Sequence, residues 1–456
     1  MCWVEDEYEL SSLGDERLDR RAKRVLRDFS SSPTASIPSS MKSFSETAGA
    51  YRFFQNDKVT LENVLEPHKL KTIERVRSER EVLILQDTSE LDFSSKQEKI
   101  EGLGRLNVEA RRGLFIHPLL ALTPDRLCLG VVGAQLYARG EKRSSAAKRK
   151  KTPIEDKESY RWIEGYNEAC KVAEECPDTT VIVVADREAD IHELFLEAEF
   201  GEAEWIVRAK HDRRLVDGDE AKYLFDTLEN TKPLGEVVCN LAGKAGKKGR
   251  EATLSIVAIE LTPRGPYSNN KKLPEVKITA VMAMEKNPPK GEDPVRWYLL
   301  TSLSVKDINQ ARKVIDRYLC RWQIEVFFRT LKSGCKIERL QLEHVDRLGP
   351  CIGMYMIVTW RIMYCMMLGR ECPEIGADLV FEDFEWKAAY AVATKKKPPS
   401  KPPTLSEMIL LIASFGGYLN RKNDPPPGPK AMWVGMQSLF GYAVGFQTAI
   451  EIYGLG

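Results

Sequence analysis

At 456 residues the chain is long enough for two to four domains with a sizeable core. Its formal charge of +1 lacks the basic excess common in nucleic-acid binders, although that charge is spread unevenly. Ten cysteines without a Cys-x-x-Cys pair, and five histidines without ligand spacing, argue against a structural zinc site and for a reducing compartment.

Residues 1–75 read as helical. Within them Arg17, Arg20, Arg21, Arg24 and Arg27 recur at helical spacing opposite Leu18, Ala22, Val25 and Leu26. That is an amphipathic helix with a strongly basic face. A Ser/Pro-rich turn region (30–40) and the segment 45–56 follow. Residues 82–86 form a short apolar run of the kind that makes a buried strand, and Asp87 comes directly after it. Residues 114–122 and 129–137 read as strands of an antiparallel meander. Residues 156–175 read as a helix crossing to a second buried strand, 181–185, which is again followed by an aspartate, Asp186. Residues 205–208 are a further strand. From 212 to 303, β-rich runs (254–261 and 276–284) alternate with Gly/Pro/Lys-rich turns. Two more basic clusters stand out, one from Lys142 to Lys151 and one comprising Lys244, Lys247, Lys248 and Arg250. Each fits a solvated loop as well as a nucleic-acid contact. The run 318–332 has helical composition and no Gly or Pro. Residues 351–369 are about membrane length, but they contain Arg361, so a buried core helix is expected there. Beyond 372 a polar, proline-rich linker (395–403) precedes two apolar helices, 405–415 and 432–452.

Three carboxylates carry the chemistry. At roughly 100° per residue, Tyr318, Arg321, Glu325 and Lys332 fall within about 60° of one another on one helix face. A carboxylate there suits a divalent metal, and the cations suit a phosphodiester beside it. The same face also fits a solvated surface with i,i+4 ion pairs. Taken singly, Asp87 and Asp186 fit turn or cap positions. A carboxylate ending a buried strand is nevertheless expensive to hold without compensation. Asp87, Asp186 and Glu325 brought together would repel unless divalent cations sat between them. Mg²⁺ prefers carboxylates plus water and substrate phosphate to a full protein cage. Two such ions about 4 Å apart clamp both the attacking and the leaving oxygen of a phosphodiester. Metal-assisted phosphoryl transfer on nucleic acid is therefore expected, with two Mg²⁺ per site and Mn²⁺ as a substitute.

The order Asp87, Asp186, Glu325 and the spacing Tyr-x2-Arg-x3-Glu-x6-Lys resemble the bacterial Asp-Asp-Glu cut-and-paste transposases of the insertion-sequence-four group. The segments 186–192, 207–211, 287–292 and 297–302 carry the same likeness, as do Leu13-Gly14-Asp15 and Ala50-Tyr51-Arg52-Phe53. The resemblance runs in order over nearly the whole chain. It implies an α/β fold, with a ribonuclease-H-like core, a β-rich insertion, a helical N-terminal DNA-binding domain and a helical C-terminal domain. The implied divisions are 1–75 for end recognition, 76–372 for catalysis with the insertion at about 212–303, and 373–456 for the linker and dimerisation. Asp87, Asp186 and Glu325 would be the metal ligands. Tyr318, Arg321 and Lys332 would hold the phosphate backbone. Arg329, standing where a lysine is expected, would join them. Trp297 would stack on a flipped base, with Arg208 and Lys210 lining the same pocket. Arg20, Arg24 and Arg27 of the basic helix, and Arg52, are expected DNA contacts. The implied partners are double-stranded transposon ends, target DNA and a second copy of the chain, in the cytoplasm at the nucleoid and with no membrane. Nicking, hairpin formation, hairpin opening and strand transfer are the implied steps. A nuclease without strand transfer, and a DNA-binding regulator without catalysis, remain alternative readings. A phosphohydrolase using Asp87 as nucleophile would need an aspartate two residues on, where Ser89 stands.

Overall fold

The computed structural model describes residues 3–11, 13–41, 43–140, 152–216, 222–241, 249–268 and 271–454. Helices of seven or more residues in the first part of the chain are α1 (Glu16–Ser31), α2 (Phe44–Phe54), α3 (Leu61–Val76), α4 (Arg161–Glu175) and α5 (Leu224–Asn230). Those in the second part are α6 (Ile308–Cys320), α7 (Trp322–Arg329), α8 (Val345–Glu371), α9 (Asp383–Thr394), α10 (Leu405–Phe415) and α11 (Pro429–Tyr453). Strands of four or more residues are β1 (Glu81–Gln86), β2 (Ser89–Asp92), β3 (Arg112–Leu122), β4 (Cys128–Tyr137) and β5 (Thr180–Ala185). They continue with β6 (Glu204–Arg208), β7 (Gly235–Leu241), β8 (Arg250–Leu261), β9 (Ile278–Glu285) and β10 (Arg296–Thr301). The chain folds into two compact units.

One unit comprises Glu79–Asp87 and Lys142–Trp322. It is built on a mixed sheet in the order β1-β5-β6-β10-β9-β8-β7. The first three strands are parallel, and every later neighbour is antiparallel. Val82, Leu83, Ile84 and Leu85 are fully buried, which is why β1 reads as an unbroken apolar run rather than an alternating one. Helix α4 packs on β1 and β5, and α6 lies across β5 to β9. The strands of the 212–303 insertion extend this same sheet outward from β6.

The other unit comprises Met1–Ser78, Thr88–Glu141 and Gln323–Gly456. Strand β3 pairs antiparallel with both β2 and β4. Helix α8 is long and apolar enough to cross a membrane, yet 89% of its apolar window is buried inside the protein. Helices α1, α3, α10 and α11 and strand β4 surround it. A helix that is hydrophobic on all sides needs such a surround, so the core helix expected over 351–369 is present and longer. A buried polar cluster ties α3 to its neighbours. The Val131 N–H donates to His68 Nε2 (2.9 Å), so the remaining ring proton sits on Nδ1 and is donated to Glu7 Oε1 (2.5 Å). Arg75 donates to both Glu7 oxygens, at 2.9 and 3.0 Å.

Several boundaries differ from the sequence expectations. The helix expected from 156 begins at Arg161, because Lys157 is extended (φ −92°, ψ 144°) and two short 3₁₀ turns precede the helix. The polar stretch after Asp87 contains strand β2, and α9 occupies part of the region before the linker. Lys142–Lys151 and Lys244–Lys248 lie outside the described residues. Arg250 is committed to Glu285 and Glu292 (2.5 and 2.9 Å), which makes it a structural cation of the sheet.

Candidate active site

Asp87 and Asp186 are placed by the parallel strands of one sheet. The β1–β5 register runs to Leu85 opposite Val184, and each aspartate lies two residues beyond that pair. Side chains alternate with a period of two, so both aspartates continue the face of Leu83, Leu85, Ile182 and Val184. Neighbouring strands run about 4.8 Å apart. The β5–β6 register ends at Ala185 opposite Val207, which sets Arg208 level with Asp186 on the next strand. The C-terminal edge of three parallel strands thus presents Asp87, Asp186 and Arg208 in a row.

Both carboxylates are half-buried and both are compensated. Arg321, which ends α6, donates to Asp87 Oδ2 at 2.8 Å. Asp186 Oδ1 accepts the Glu188 N–H (2.7 Å) and so caps the short 3₁₀ turn Arg187–Ala189. That turn is fastened at two further points. Arg161, at the start of α4, pairs with Glu188 at 2.6 Å. The buried Asp190 carboxylate accepts the backbone N–H groups of Lys210 (2.7 Å) and His211 (2.9 Å), and Arg213 Nε (3.1 Å) and Nη2 (2.6 Å). Sequence reasoning named Asp190 only as part of a motif and missed Arg161 and Arg213. Their partners lie more than twenty residues away, and nothing local marks the pairing.

Trp297, Arg208 and Lys210 share one face of the β6–β10 pair. Leu299 lies opposite Arg208, and the Ala209 N–H donates to Tyr298 O (2.8 Å), which carries the register on to Trp297 opposite Lys210. Trp297 and Arg208 are half-exposed and Lys210 is exposed.

The run 318–332 is not one uniform helix. Tyr318 lies in α6 and is 6% exposed. Arg321 keeps helical backbone (φ −50°, ψ −32°) between α6 and α7. Glu325 on α7 is exposed and makes no hydrogen bond or ion pair with the described residues. A π-helical turn, Thr330–Gly334, then interrupts the α geometry, so Lys332 departs from the 100° spacing. Lys332 donates to Glu90 O (2.6 Å) and pairs with Glu338 (3.3 Å). Arg329 is exposed at the last turn of α7. On the N-terminal helices, Arg20 and Arg52 are exposed. Arg24 pairs with Glu46 (3.4 Å) and Arg27 with Glu5 (2.7 Å).

Among the described residues, no group of three or more His, Cys, Asp and Glu side chains is arranged to hold a metal ion. The two strand-end aspartates do supply hard oxygen donors, and the Arg321 guanidinium shows that Asp87 is held beside positive charge. This donor chemistry fits a hard divalent cation.

Three family models match the chain. A transposase DNA-binding model matches residues 1–59, a transposase DDE domain matches 165–349, and the transposase Tn5 dimerisation domain matches 357–453. The chain belongs to the DDE transposases of the Tn5 type. Its catalytic domain is of the DDE, ribonuclease-H-like kind, and membership implies a divalent metal cofactor. Among solved structures, one of the piggyBac transposase in a synaptic complex with hairpin DNA is similar at 9% identity and a TM-score of 0.35. The match covers 85% of this chain, and this chain spans 57% of that one.

Proposed function

We propose that this protein is a cut-and-paste DNA transposase that acts as a homodimer on paired double-stranded transposon ends, in the cytoplasm at the nucleoid. The observation that supports the reading most is the register of Asp87 and Asp186 on adjacent parallel strands. Residues 1–75, 76–372 and 373–456 would serve end recognition, catalysis and pairing.

Asp87, Asp186 and Glu325 would hold two divalent ions, Mg²⁺ or Mn²⁺. When bound, such ions activate an attacking oxygen and offset the charge of the reacting phosphate. The chain's own side chains orient the DNA. Arg321, Lys332, Arg329 and the Tyr318 phenol would hold the phosphate backbone in line, which lowers the entropic barrier to displacement. Trp297 would stack on a displaced base, with Arg208 and Lys210 beside it, and one such stack contributes roughly 1–3 kcal/mol. Arg20, Arg24, Arg27 and Arg52 would contact the transposon end. Water first breaks a phosphodiester at that end and leaves a 3′ hydroxyl. That hydroxyl attacks the opposite strand to form a hairpin, and a second water opens it. The freed 3′ hydroxyl then attacks target DNA. Each step forms one P–O bond and breaks another.

The test is Asp87→Ala, Asp186→Ala and Glu325→Ala, each assayed on end-containing DNA. Each variant is expected to lose metal-dependent cleavage and to keep end binding. Cleavage retained by any one of them would remove that residue from the mechanism. Recovery of joined donor–target DNA separates a transposase from a nuclease.

A further inference from the structure

Strand β2 pairs with β3 on one side, and its other edge meets no strand among the described residues. On the paired side the Phe93 N–H donates to Arg112 O (2.9 Å), so the backbone groups of Glu90 and Asp92 turn to the open edge. An open edge leaves such groups in need of partners. Here two side chains supply them. Lys332 donates to Glu90 O (2.6 Å), and Glu338 Oε1 accepts the Asp92 N–H (2.9 Å). The same Glu338 oxygen lies 3.3 Å from Lys332 Nζ. The ammonium is thereby held between a carbonyl and a carboxylate.

Glu338 is fixed without help from Lys332. It lies in the 3₁₀ turn Ile337–Arg339, which the chain enters through Lys336 in the left-handed region (φ 53°). Ile337 is fully buried, and Lys96 Nζ donates to Glu338 O (2.6 Å). Lys332 instead sits in the π turn on a flexible four-carbon stem. An ammonium has three N–H donors. Glu90 O takes one, so donors remain for a phosphate while the Glu338 charge keeps the head in place. Both side chains are 29% exposed, which leaves the pair open to DNA. The 3.3 Å separation is longer than the roughly 2.8 Å of a charge-assisted hydrogen bond. A phosphate can therefore join the ammonium without displacing the carboxylate.

We propose that Glu338 is a positioning residue for the DNA chemistry, an assignment that rests on the phosphate role proposed above for Lys332. Its carboxylate, set by the Asp92 N–H, holds the Lys332 ammonium where it meets a phosphate of the transposon end.

Ethylation interference with the full chain on end-containing DNA tests this. Ethylating a phosphate removes its charge, so complex formation fails wherever a cation must meet it. Lys332→Gln is expected to lose interference at one phosphate. Glu338→Ala should lose it at that same phosphate, keep it elsewhere, and slow first-strand nicking at least about tenfold. Glu338→Met, closer in volume to the natural side chain, should behave alike. Glu338→Gln keeps an oxygen for the Asp92 N–H and for Lys332, and should show the interference again. Interference at the Lys332 phosphate that survives Glu338→Ala would overturn the proposal, as would faster nicking, which would mark Glu338 as a competitor for the ammonium. Loss at phosphates that Lys332→Gln leaves untouched would also overturn it, by marking a general structural role. If Lys332→Gln itself loses no interference, the phosphate role of Lys332 fails first and the positioning role falls with it.

Discussion

Replacing Asp190 with alanine should destabilise the protein by about 3–5 kcal/mol, the usual loss when one member of a buried ion pair is removed. The Asp190 side chain is fully buried and the Arg213 side chain is 10% exposed. Alanine leaves Arg213 uncompensated in that setting. It also strips the charged acceptor from the half-buried hydrogen bonds of the Lys210 and His211 N–H groups, and a hydrogen bond to a charged group contributes about 1.5–3 kcal/mol. These losses overlap, because water can enter the space vacated by the carboxylate, so the estimate stays at the ion-pair figure rather than the sum. Urea unfolding of the full chain in metal-free buffer, followed by circular dichroism, reads the change. Arg213→Met and the double variant complete a cycle in which the double variant should cost less than the two single ones together, by at least about 1 kcal/mol. Amide exchange at residues 210–211 should quicken in Asp190→Ala. A loss below about 1 kcal/mol, or an additive cycle, would refute the view that Asp190 fastens the Asp186 turn to the end of β6.

Three further outcomes are expected. Arg321→Gln removes the guanidinium that donates to Asp87 Oδ2 and should lower stability in metal-free buffer by roughly 1–3 kcal/mol, with part of the loss recovered on adding Mg²⁺; a melting temperature that Mg²⁺ does not move would contradict this. Arg20→Ala should weaken end binding and reduce the salt slope by about 1, whereas Arg27→Ala, already paired with Glu5, should change the slope less; filter binding across a salt series decides. Acid should destabilise the Glu7–His68–Arg75 cluster. Burial lowers the His68 pKa below its ordinary 6.5. Burial alone would raise the Glu7 carboxyl, but His68 and the Arg75 fork outweigh it and hold it below its ordinary 4.5. Both groups bind protons less readily when folded than when unfolded, so their contribution is present above those ordinary values and is lost as pH falls through the folded ones. Stability should fall below pH 6.5 and fall further below 4.5. The lower part of that decline should be missing in Glu7→Gln, and a profile flat from pH 7 to 4 would contradict the assignment.

The strands that carry Asp87 and Asp186 were legible because parallel strands buried on both faces are uninterrupted apolar runs, as in 82–86 and 181–185. The core helix α8 was legible for a similar reason, with a length and apolarity that only burial or a membrane accommodates. Strand β2 was not, since Leu91 is its one buried residue and its other three positions are polar. The π turn at Thr330–Gly334 was also hidden. Its composition suits an α-helix, and the widening is expressed in a backbone bond from Cys335 N to Thr330 O (2.9 Å) rather than in residue type. The register that aligns Trp297 with Lys210 depends on pairing across nearly ninety residues, which a local pattern does not encode.

The most direct measurement replaces the divalent metal with Fe²⁺ and maps where hydroxyl radicals, generated with ascorbate and peroxide on the DNA-bound protein, cut the polypeptide. Cuts clustered near Asp87, Asp186 and Glu325 together, all suppressed by excess Mg²⁺, are the expected result. Cutting near the two aspartates with none near Glu325, or cutting that Mg²⁺ leaves unchanged, would contradict a shared metal centre formed by these three carboxylates.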